Sequence, residues 1–149
     1  MNNKIQYAMG FILSPDKKRV ALICKNKPAR LVGMLTGIGG HREQDESFIE
    51  CLIREVEEEA GVITAEGEWL QFATVSTDEM YMPCYVMYSD KIDDVRTMES
   101  EKVSIFNVND LSDLILAPLA LDLVWLTIDR RKGILNLTTH QITPLKENI

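Results

Sequence analysis

The sequence predicts an α/β fold, an α/β/α sandwich in which helices cover both sides of a mixed β-sheet. Two observations carry this. Short apolar or alternating runs recur along the chain and read as strands. Two longer segments, near 47–60 and 118–129, carry helical signals, the first with a cap at each end. With 149 residues, residues 1–149 are expected to form one domain, since a chain of that length buries about 68–70% of its unfolded surface.

Taken in order, Ile5, Tyr7, Met9, Phe11 and Leu13 alternate with other residues and predict a first strand. Ser14-Pro15-Asp16-Lys17 is a turn, and Arg19 to Lys25 a second strand apolar enough to be central. Asn26 to Val32 reads as a loop carrying Lys27 and Arg30; solvated loop cations and phosphate contacts are equally good readings of it. Gly33 to Gly40, with four glycines in eight residues, is expected to be a loop that needs close backbone approach or positive φ.

The first helix is expected over Ser47 to Ala60. Ser47 and Glu50 have capping-box spacing and Gly61 stands at the C-cap. Ile49, Leu52, Ile53, Val56 and Ala60 form its core-facing stripe. Glu68 to Ser76 and Met80 to Tyr88 then read as strands, with Pro83 making the second an edge strand or a bulge. Asp90 to Glu101 is a polar loop and Val103 to Val108 a further strand. Pro118 opens a second helix reaching Asp129, and Ile134 to Leu137 is a short strand before a frayed tail.

Composition bounds the function. No apolar run approaches the ~20 residues of a membrane span, and the start MNNKIQYAMG lacks the pattern of an export signal. Cys24, Cys51 and Cys84 are odd in number with no metal spacing, as for buried reduced thiols. A cytoplasmic protein is therefore expected. A net charge of −7 argues against a binder of nucleic-acid polymers or anionic membranes. It leaves open a phosphorylated small molecule with divalent ions between the two sets of negative charge.

The first helix is where charge is placed against stability. Glu55, Glu58 and Glu59 crowd one face at i, i+3 and i+4, and like charges so spaced repel by roughly 0.2–0.5 kcal/mol per pair. Glu57 to Glu59 also lie at the C-terminal end, where the macrodipole favours cations. A merely solvated face would carry lysines here. A hard cation taking carboxylate oxygens explains the pattern better.

Gly40, Glu46, Arg54-Glu55-Val56, Glu58-Glu59 and Gly61-Val62 match every fixed position of the Nudix box. The chain therefore resembles the Nudix hydrolase family, specifically in the box and loosely across most of its length. The resemblance implies the Nudix fold and hydrolysis of a pyrophosphate bond in a nucleoside diphosphate linked to another group, with Mg²⁺ or Mn²⁺ as cofactor. By match to the motif, Glu58 and Glu59 are metal ligands and Glu55 is a further ligand or the base. Arg54, beside Glu50 and Glu58 on the helical wheel, orients carboxylates. Glu46 complements the helix dipole, and the Gly40 carbonyl is an additional ligand.

Family members often place another acid before a late strand; Glu101 fits that place best, with Glu99 beside it. His41 stands where relatives often carry a phosphate-binding lysine, and Arg30, Thr36 and Gly39 complete the expected substrate contacts. Thr36 to Gly40 resembles a run of the oxidised-purine nucleoside triphosphatases, as does Met98 to Glu101. Thr36, however, replaces an amide there, and Leu119-Ala120 replace paired aspartates that read the base. General nucleotide hydrolysis is thus expected ahead of oxidised-base recognition, with ADP-ribose or dinucleotide cleavage, or nucleotide sensing without turnover, as alternatives. Tyr7, Phe72, Tyr81 and Trp125 could stack on a base, though core packing is the commoner use. The expected partner is a small nucleotide, with a homodimer allowed.

Overall fold

The computed structural model describes residues 4–128, and the backbone of 132–136 and 141–145. One mixed sheet carries the fold. Strand β1 (Ile5–Leu13) pairs along one edge with β6 (Met80–Tyr88) in parallel, with a gap at Tyr7 and Ala8. Its other edge is divided. β2 (Arg19–Cys24) pairs antiparallel at Ile12 and Leu13, and β4 (Ile38–His41) at Tyr7 to Gly10.

Where β1 and β2 part, the glycine-rich segment fills the fork. β3 (Leu35–Thr36) pairs with the end of β2, and β4 then joins β1. The expected loop is therefore two short strands. Close approach accounts for its glycines, since a Cβ on Gly39 would stand 1.9 Å from the Ala8 carbonyl oxygen and one on Gly37 2.8 Å from Met9. Positive φ occurs in this segment only at Gly33 (83°).

Strand β5 (Leu70–Ser76) pairs antiparallel with β6, so β6 is interior rather than an edge. Pro83 is accommodated because the ladder to β1 lapses opposite Tyr7 and Ala8. The bulge lies in β5 instead, between Gln71 and Ala73. β7 (Val103–Asn107) covers the outer edge of β2. The predicted tail strand is β8 (Lys132–Asn136), parallel to β5. Beyond it the chain does not simply fray: β9 (Gln141–Leu145) pairs back onto β8 and supplies its outer hydrogen bonds. The expected strand end at Leu137 and helix end at Asp129 lie outside the described residues.

Period-two alternation sends the two strand faces into separate cores. Ala8, Ile12, Ala21, Ile23, Tyr85 and Met87 pack on helix α1 (Phe48–Ala60), against Leu52, Val56 and Ala60. Phe11, Leu13, Val20, Leu22, Cys84 and Val86 pack on helix α2 (Ala120–Ile128), against Leu123 and Val124. Helices on both faces make the α/β/α sandwich. α2 begins at Ala120, later than expected, because Leu119 takes a left-handed φ of 70° that no helix contains.

Cys51 and Cys84 are buried free thiols and Cys24 is half-buried. Burial raises both buried thiols, Cys51 to about 12. Among the described residues no helix is long and apolar enough to cross a membrane.

Candidate active site

Helix α1 is fixed at both ends by its own sequence. The Ser47 hydroxyl accepts from the Glu50 N–H while the Glu50 carboxylate accepts from the Ser47 N–H, and Gly61 closes the helix at φ 70°. Glu50 is thereby committed to the cap and is not a partner of Arg54, contrary to the wheel. The Arg54 guanidinium turns to Glu46, Glu55 and Glu58. It donates to Glu46 from Nη2 (2.7 Å) and Nε (3.1 Å), and from Nη1 to Glu55 Oε1 (2.9 Å) and Glu58 Oε2 (3.3 Å). Nη2 also donates to the His41 carbonyl at 3.1 Å, tying the helix to β4. Glu46 is thus more than a dipole acid: its hydrogen bonds to Arg54, with the Glu43 N–H adding to them, hold its carboxyl down at about 2.

Gly40 makes room for this arrangement. A Cβ there would lie 2.5 Å from the Glu55 carboxylate. Its carbonyl accepts from Cys51 Sγ at 3.5 Å. Glu59, on the buried face of α1, is only 7% exposed. Burial first, then the hydrogen bond and charge of Glu55, push its carboxyl well above the usual range. A buried acid against a second acid is poor for stability unless something positive comes between them. Among the described residues no three metal-ligating side chains converge as placed. The donor set nevertheless fits a hard divalent ion: carboxylate oxygens, with Gly40 leaving no side chain between strand and helix.

These groups line a cavity of about 390 Å³ with Glu43, Glu55, Glu58, Glu59, Glu99 and Glu101 on its walls. Glu101 is anchored across the cavity from α1. Its Oε1 accepts from Lys25 Nζ at 3.1 Å and its Oε2 from the Asn26 N–H at 2.7 Å. A second, mostly apolar cavity of about 330 Å³ lies on the α2 side, walled by Met9, Val75, Met80, Met82, Leu119 and Leu123. Tyr7, Ile23, Lys25, Gly39 and His41 line both, so the two are halves of one cleft.

A NUDIX domain model matches residues 4–124. The chain belongs to the Nudix family. As a Nudix hydrolase it acts on pyrophosphate bonds. Solved structures similar to it include a MutT described for Aliivibrio salmonicida and Vibrio cholerae, with 20% identity, TM-score 0.72 and coverage of 85% of this chain and 98% of that one. Another is the NUDIX domain of Shewanella oneidensis NrtR in complex with ADP ribose, at 19% identity and TM-score 0.72, covering 87% and 90%. A third, assigned to the nudix hydrolase family, comes from Chromobacterium violaceum, at 17% identity, TM-score 0.65 and coverage of 87% and 79%. Among curated proteins none matches by sequence.

In this Nudix hydrolase the residues singled out by sequence gather in the one cleft. Gly40, Glu55, Glu58, Glu59 and Glu101 line the acidic half, Arg30 and Thr36 the apolar half, and Gly39 and His41 both. Arg54 stands behind the acidic wall. His41 packs against the Tyr7 ring at 4.4 Å. Of the aromatic candidates, Tyr7 lines both halves, Phe72 is buried in the core, Tyr81 packs on Phe48 and Trp125 is partly exposed on α2. Sequence reasoning missed Lys25, Met9, Met80 and Met82 as cleft residues. Lys25 lacked a local signal because its partner is 76 positions away.

Proposed function

We propose that this Nudix hydrolase cleaves nucleoside triphosphates to the nucleoside monophosphate and pyrophosphate, using Mg²⁺ or Mn²⁺. The observation that carries the reading is the continuous cleft, in which a carboxylate-rich half adjoins an apolar half of a size that suits a nucleobase. Polyphosphate and base then have separate, adjoining places.

Glu55, Glu58 and Glu59, with the Gly40 carbonyl, are the groups that would hold the ion. Such an ion supplies positive charge at the phosphoryl oxygens and acidity to water. The chain's own tasks are positioning and proton removal. Arg54 keeps Glu55 and Glu58 aimed into the cleft by charge-assisted hydrogen bonds. A carboxylate, Glu55 or Glu101, takes the proton of the attacking water. Water adds to one phosphorus as the bridging P–O bond breaks, and pyrophosphate leaves with the electron pair. On the apolar side Thr36, Gly39, His41 and Arg30 border the nucleoside.

The cleft wall at the head of α2 presents Pro118 and Leu119, and no carboxylate lines the apolar half among the described residues. That favours ordinary nucleotides over recognition of an oxidised guanine. ADP-ribose is the second reading, favoured by the ADP ribose held in the similar Shewanella domain.

The test is a panel of ordinary and oxidised nucleoside triphosphates, ADP-ribose and dinucleotides with Mg²⁺ or Mn²⁺, products identified by mass spectrometry. Monophosphate and pyrophosphate are expected, and EDTA should stop their release. Cleavage confined to ADP-ribose or dinucleotides would install the second reading. Tight binding with no turnover would make the protein a sensor instead.

A further inference from the structure

Among the described residues five line both halves of the cleft, and of these Lys25 is the one lysine or arginine. Lys27 lines the acidic half alone and Arg30 the apolar half alone. Lys25 sits at the end of β2, beside the fork, with a side chain only 15% exposed. It is paired to Glu101, itself 11% exposed, at 3.1 Å. A pair this enclosed is costly to break by deletion, because the surviving charge is left alone. It is inexpensive to exchange, since an arriving anion can take the place of the carboxylate.

We infer that Lys25 binds the phosphate next to the nucleoside, and that it does so by letting go of Glu101. This rests on the cleft being a nucleotide site. A nucleotide with its base among Met9, Met82 and Leu123 and its terminal phosphates toward Glu55 and Glu59 must pass the shared neck, where Lys25 stands. The ammonium then trades one charge-assisted hydrogen bond for another. Glu101 stays in place because its Oε2 still accepts from the Asn26 N–H. Its released Oε1 belongs to the acidic half, where a proton acceptor is needed. Lys25 is therefore both a substrate contact and the latch on Glu101, and substrate binding itself opens the latch.

The experiment compares wild type with Lys25→Met, Lys25→Arg and Glu101→Gln, using Mg²⁺ and the nucleoside triphosphate that wild type cleaves fastest. Loss of one charge-assisted hydrogen bond should raise KM about 10- to 100-fold in Lys25→Met. Lys25→Arg should recover most of that loss. The affinities for the free nucleoside and for Mn²⁺ alone, the latter read by electron paramagnetic resonance, should hardly change. Glu101→Gln weakens the competing partner, so it should lower kcat while leaving KM equal or lower. That sign is the opposite of what a purely structural ion pair gives, and it decides the matter even if Lys25→Met does not fold. Wild-type turnover with an unaltered KM in Lys25→Met, or a raised KM in Glu101→Gln, overturns the latch alone. A wild type that neither cleaves nor binds any nucleotide overturns the nucleotide reading, and the latch with it.

Discussion

Arg54 grips Glu46 through two nitrogens, at 2.7 and 3.1 Å, across eight positions of sequence that include the start of α1. The grip fixes the guanidinium whose remaining donors aim Glu55 and Glu58. It also stores stability in a titratable form. A carboxyl held at about 2, below the ordinary 4.5, contributes fully above about pH 4.5 and loses that contribution as pH falls toward 2. Wild type should exceed Glu46→Gln by about 1–2 kcal/mol at pH 7, with the gap closing between about pH 4.5 and 2. Urea melts at several pH values measure it; a gap that does not vary with pH would show that the grip is not electrostatic.

Adjacent glycines should fail in different ways. In Gly39→Ala the new methyl meets backbone, the Ala8 carbonyl 1.9 Å away, and neither strand can yield. A loss of about 3 kcal/mol, with soluble yield falling, is expected. In Gly40→Ala it meets the side-chain carboxylate of Glu55 at 2.5 Å, which can turn aside by giving up its contact with Arg54. Stability should then fall by only about 1 kcal/mol, while turnover collapses because Glu55 has moved. Thermal melts beside steady-state rates separate the two, and equal losses of stability would contradict the geometry.

Glu58→Gln tests the acidic half directly. Glu58 is half-exposed and its contact with Arg54 is long, at 3.3 Å, so the pair is worth only about 0.3–0.5 kcal/mol. Relief of repulsion with its neighbours offsets this by a similar amount. The metal-free melting temperature should stay level or rise slightly. If Glu58 holds the ion as proposed, turnover should drop about 100-fold or more, since a metal ligand of this kind carries several kcal/mol of transition-state stabilisation. Clear destabilisation of the metal-free protein would assign Glu58 a structural role.

Thr36 is the buried hydroxyl of the apolar half, 8% exposed, and it donates to the soft Met9 Sδ at 3.7 Å. Thr36→Val keeps the shape, so stability should change by about 1 kcal/mol or less. The ratios of kcat/KM among bases should shift if the base occupies the apolar half as proposed, because the Thr36 hydroxyl lines that half. Ratios identical to wild type would remove Thr36 from base reading.

The sequence made α1 legible because its signals are local: cap, stripe and closing glycine lie within one run. The same holds for β1, β2 and β5. What it concealed was decided by distant pairing. β3 and β4 have two and four residues, too few for a period to register, and their glycines imitate a loop. Pro83 argued for an edge because nothing nearby shows that the ladder lapses opposite it. The turn of Arg54 toward Glu46 was hidden too, since a helical wheel omits the residues before the helix.

The division of the strand faces has an evolutionary consequence. Met9, Met82 and Leu123, which line the apolar half of the cleft, belong to the packing on the α2 face of the sheet, whereas the helix that carries the acids, α1, packs on the opposite face. If the nucleoside lies in the apolar half as proposed, exchanges at Met9, Met82 or Leu123 would retune which nucleotide is accepted without touching a residue of α1. Such a scaffold can acquire new preferences without first losing its old chemistry.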